Sequence, residues 1–70
     1  MDDFEELFEE LQDRLSDLRS EHRDLSDLID RLTQESGFNQ IQVQGLKKRK
    51  LFVKDQISSL KNRILPDIIA

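Results

Sequence analysis

Apolar side chains return at every seventh position through most of this chain, and that repeat constrains its fold more than any other feature. Phe4, Leu11, Leu18, Leu25 and Leu32 form one series; Phe8, Leu15, His22 and Ile29 form a second, offset by alternating steps of four and three. Beyond a gap, Val43, Ile57 and Ile64 form a third series with Lys50 among them, and Leu46, Val53 and Leu60 form a fourth. Such spacing lays each set along one stripe of a helix, and that stripe is buried only against another helix. The pattern predicts an all-α protein with a coiled-coil-like seam. It describes how the chain assembles and carries no chemistry of its own.

Local signals divide the pattern into two helices. Asp2 or Asp3 can cap the first amide groups, and Glu5 and Glu6 suit the positive end of a helix dipole. The first helix is expected over about 3–35. Ser36-Gly37-Phe38-Asn39 supplies the stop, with Gly37 able to take the left-handed conformation that closes a helix. Asn39 and Gln42 make a capping pair for a second helix over about 40–65. Residues 40–44 alternate polar and apolar with period two, a strand signal. A lone five-residue strand would have no partner in this chain, so the segment is read as helix. Gly45 weakens that helix, and Pro66 ends or kinks it near Leu65.

The heptad keeps its register across the turn, so a continuous helix of about 100 Å, at about 1.5 Å per residue, competes with a hairpin. The rod would put Ser36 and Asn39 in consecutive core positions with Gly37 between them. Folding back near residue 37 or 38 avoids this and pairs Leu32 with Val43, Ile29 with Leu46, His22 with Val53, Leu18 with Ile57, Leu15 with Leu60 and Leu11 with Ile64. The expected fold is one domain, 1–70, an antiparallel helical hairpin. A chain this short gains little from a single two-helix interface, so dimerisation into a four-helix bundle is expected. An antiparallel dimer of unbroken helices satisfies the same layers as a swapped relative.

Charge is segregated along the chain. Residues 1–36 hold thirteen Asp or Glu against four Arg, a balance of −9; residues 37–70 hold seven Lys or Arg against two Asp, a balance of +5. The halves should attract. Lys47, Lys48, Arg49 and Lys50 form a basic run that the hairpin sets across from Asp24, Asp27 and Asp30, so pairing within the chain or between protomers is expected. Lys47, Lys48, Arg49 and Lys54 are also the anion-binding candidates, for nucleic acid or an anionic membrane surface. A net charge of −4 and the absence of Tyr and Trp argue against that use. Lys50 falls on the seam opposite Leu25, where its stem can pack while the ammonium reaches toward an Asp or Glu.

Catalysis has little to work with. No Gly-rich phosphate cradle, nucleophile–base pair or metal-spaced ligand set is present, so no enzyme activity, small-molecule substrate, cofactor or metal is expected. His22, the single histidine, lies in the seam and is read first as a packed or hydrogen-bonded structural residue; an imidazole there must accommodate charge when protonated, so the alternative is a pH-sensitive core position. There is no cysteine, hence no disulfide framework. The opening Met1-Asp2-Asp3-Phe4-Glu5-Glu6 is the reverse of a basic signal-peptide start, and no apolar run approaches membrane-spanning length. A soluble cytoplasmic protein is expected. Leu51 and Phe52 lie off the second helix's stripe, and Leu7 and Leu28 broaden the first helix's stripe. These four are the interface candidates for a homodimer or another protein.

Leu46-Lys47-Lys48-Arg49-Lys50-Leu51-Phe52-Val53-Lys54-Asp55-Gln56-Ile57 resembles the Leu-Lys-Lys-x-Lys-Leu-x-Leu-Lys-Asp-x-Ile signature of the small bacterial YdcH-like proteins. His22-Arg23-Asp24-Leu25-Ser26-Asp27-Leu28-Ile29 is similar to that family's His-x-x-Leu-Asp-x-x-Ile segment, with Ser26 in place of the usual Asp. Val53 replaces a usual Leu. The resemblance covers roughly residues 18–60. It implies a short helical hairpin that tends to associate, in a bacterial cytoplasmic protein, and it assigns no biochemical role to His22 or to the lysine run.

Overall fold

The computed structural model of the chain describes residues 3–64, the last by its backbone. Two helices, α1 (Asp3–Thr33) and α2 (Gln40–Ile64), pack against each other. The described residues contain no strand. The Pro66 stop, Leu65, the tail 67–70 and the Leu11–Ile64 side-chain layer lie outside the described residues.

α1 ends at Thr33, two residues short of the expected end, where the Thr33 side chain bonds back to the last turn. Its hydroxyl donates to the Ile29 carbonyl at 2.8 Å and approaches the Asp30 carbonyl at 3.2 Å. The Asp30 carbonyl is the acceptor that the Gln34 amide would use in a continuing helix. Gln34 N–H instead donates to the Arg31 carbonyl, and Glu35 N–H to the Leu32 carbonyl, at 3.3 and 3.2 Å. These tighter bonds wind the helix down. Gly37 then takes a φ of 73°, which reverses the chain at small cost because it has no Cβ.

α2 begins with a side-chain cap. The Gln42 amide donates to Asn39 Oδ1 at 3.1 Å, and the Val43 amide to the Asn39 carbonyl at 3.0 Å. The alternating 40–44 segment therefore enters α2, with Val43 turned inward, 4% exposed, and Ile41 outward, 81% exposed.

The core is the heptad seam. The buried apolar residues are Leu18, Ile29, Val43, Val53 and Leu60, and all five belong to the seven-residue series. Leu18, Val53 and Leu60 form one cluster, against which Leu11, Leu15, Leu25 and Ile57 pack. Val53 is fully buried and His22 half-buried. Packing on this cluster begins at Leu11. Of the eight residues before it, 3–10, seven are exposed and Phe8 is half-buried, its ring stacked on Phe4 with centroids 6.5 Å apart.

Candidate functional site

Successive residues of a helix point about 100° apart, so a basic run in sequence is not a basic patch in space. Arg49 swings to one flank of the seam, where its Nη2 and Nε lie 2.7 and 2.8 Å from Glu21 Oε2. Its guanidinium also covers the Phe52 ring, 5.4 Å from the centroid. Lys48 points outward and is exposed. Lys47 and Lys50 turn to the opposite flank.

That flank holds a groove of about 560 Å³ lined by Lys47, Lys50, Lys54 and Lys61. His22, Leu51, Ile57 and Ser58 complete its walls. Lys47, Lys54 and Lys61 are spaced by seven, which aligns them along the edge of α2 beside the seam; Lys50 is half-buried within it. No carboxylate lines the groove. Among the described residues the side-chain ion pair within 4 Å is Arg49–Glu21, so none of the four lysines of this groove is ion-paired within that distance.

The arrangement bears out intrachain pairing at Arg49 and corrects its partner, which is Glu21 and none of the three aspartates. Asp24, Asp27 and Asp30 are all exposed, and none makes an ion pair within 4 Å with the basic run. Matching them with the basic run by level along the helix axis ignores rotation about it. Lys50 likewise has its stem in the seam and no acidic partner within 4 Å. The groove also includes Lys61, which reading the run by proximity in sequence missed. The signal available was the seven-residue spacing from Lys47 through Lys54.

The other interface candidates separate too. Leu51 is 62% exposed and lines the lysine groove, whereas Phe52, 52% exposed, lies beneath Arg49 on the other flank. Leu7 is 54% exposed and Leu28 half-buried. A second groove, of about 520 Å³, lies on the Arg49 flank nearer the open end of the hairpin, between Arg14, Gln56 and Arg63. Among the described residues, no group of three or more His, Cys, Asp or Glu is placed to hold a metal ion. No helix there is long and apolar enough to cross a membrane.

A two-helix hairpin with a seven-residue seam and a lysine-lined flank defines a small helical packing module. The chain belongs to a family described as a protein of unknown function, DUF465, whose model matches residues 15–61, two-thirds of its length. The YdcH-like small proteins belong to this family. The match begins at Leu15 and runs past Leu60, so it takes in the buried cluster, the turn and the lysine row. No curated protein and no solved structure matches the chain.

Proposed function

We propose that this chain is a non-enzymatic protein–protein interaction module that pairs with a second copy of itself, two hairpins forming a four-helix arrangement. The observation that carries this reading is the apolar surface two helices leave outside. Leu7, Ile41, Leu51 and Phe52 are each more than half exposed, against a core of five buried residues. A single helix–helix interface stabilises a chain of this size weakly, and large apolar side chains left in water favour a further contact. The cytoplasm is the proposed compartment, on the strength of the resemblance to the YdcH-like bacterial proteins.

Sedimentation equilibrium over a wide concentration range tests the reading. The expected result is a dimer that dissociates on dilution, with a melting temperature that rises with protein concentration. Replacing Leu51 and Phe52 together by Ser should lower the molar mass while helicity persists at high concentration. A wild-type chain that stays monomeric throughout would overturn it.

The unpaired lysine row favours a second reading, an accessory binder of nucleic acid or anionic surfaces. Fluorescence anisotropy of a labelled oligonucleotide would then rise on adding protein and fall steeply with salt, since phosphate contacts release counterions. Lys47→Ala with Lys54→Ala would weaken it further. No binding at low ionic strength would leave the interaction module alone.

A further inference from the structure

The lysine groove calls for an acidic and partly apolar occupant, and the chain carries one at its other extreme. Residues 3–10 contain Asp3, Glu5, Glu6, Glu9 and Glu10, no basic residue, and Leu7, which is 54% exposed. The carboxylate positions are all exposed. These residues precede the part of α1 that packs on the buried cluster. We infer that the acidic first turns of α1 in one copy dock in the lysine groove of a second copy, with Leu7 against Leu51 and Ile57 and the glutamates against Lys54 and Lys61.

Spacing and symmetry support the match. Glu6 and Glu10 stand four residues apart, about 6 Å along the axis at 1.5 Å per residue, and fit within the span of about 10 Å between Lys54 and Lys61. Lys54 and Lys61 lie on the half of α2 toward the open end of the hairpin, where α1 begins. Two hairpins overlapped open end to open end therefore bring each acidic segment beside the other's lysines. One two-fold axis relates both contacts and the interface closes. Charge also explains the selectivity, since a groove of four ammonium groups repels its own kind and attracts this segment.

The inference rests on the self-association reading, and reciprocal charge reversal separates the two. One variant carries Lys54→Glu and Lys61→Glu; the other carries Glu6→Lys and Glu10→Lys. All four positions are exposed, so both variants should keep wild-type circular dichroism. Each alone should dimerise about tenfold more weakly than wild type or worse, because positions 54 and 61 then carry the same sign as positions 6 and 10 that they face. Mixed in equal amounts they should restore dimers, as positions 54 and 61 of each chain again face the opposite charge at positions 6 and 10 of the other. Wild-type dimerisation should weaken as salt rises.

A monomeric wild type would end the self-association reading and this one with it. A dimeric wild type whose variants dimerise undiminished, or fail to recover on mixing, would overturn the docking mode alone. If the lysine variant loses affinity and the glutamate variant does not, a different acidic segment of the second copy fills the groove. Loss of oligonucleotide or anionic-vesicle binding in the lysine variant, with dimerisation intact, would give the groove to phosphate instead.

Discussion

The two glycines of this chain do opposite things, and substitution by alanine should separate them. Gly37 sits at φ 73° with nothing within 4 Å of an added Cβ, so Gly37→Ala meets no neighbour and pays through backbone conformation alone. A loss of about 1 kcal/mol is expected in urea denaturation. Gly45 lies within α2 at an ordinary φ, also with open space around it. Gly45→Ala should therefore stabilise by about 1 kcal/mol, through helix propensity and reduced freedom of the unfolded chain. His22 is the other single-residue test. It occupies a seam position and is half-buried, so His22→Leu should extend the apolar cluster and raise stability by about 1 kcal/mol.

At the scale of the helices, the seam outweighs the ion pair. The side chains of Arg49 and Glu21 are 52% and 37% exposed, and an ion pair that open to water contributes about 1 kcal/mol or less. Arg49→Ala should lower stability by no more than about that amount, and added salt should shrink the difference further. Val53 is fully buried in the cluster. Val53→Ala should cost about 2 kcal/mol, from two lost methyl groups and the space they leave. Leu18→Asp, which puts a carboxylate at a position 4% exposed, should abolish cooperative thermal unfolding seen by circular dichroism. If Arg49→Ala proved the more damaging change, the seam would not be what holds the hairpin.

For the whole molecule the decisive quantity is the distance between the two arms. The chain measures 54 Å along its longest axis, about half the length of an unbroken helix. Spin labels on cysteines replacing Ser16 and Ser59, both exposed, read this directly in a chain without native cysteine. Helix axes packed 8–10 Å apart set an interlabel distance of about 20 Å. A continuous helix would set about 65 Å, at 1.5 Å per residue. Labelled chains diluted into unlabelled ones report the intrachain distance, so a long distance under dilution would reveal a swapped pair of rods.

By itself the sequence determined which residues could be buried: Leu18, Ile29, Val43, Val53 and Leu60 all fall in the seven-residue series, because periodicity is a property of one helix and needs no partner to be read. It also held the reversal at Gly37 and the cap at Asn39, which act over three or four residues. The tertiary structure decided how charges face one another. Asp24, Asp27 and Asp30 matched the basic run by level and by sign, yet none pairs with it within 4 Å, and Arg49 pairs with Glu21. Lys47, Lys50, Lys54 and Lys61 gather beside Leu51 because rotation about α2, fixed when its stripe meets α1, turns them to one flank. Burial is set by the repeat along each chain segment, whereas electrostatic partners depend on the relative rotation of two helices, and that angle exists once they pack.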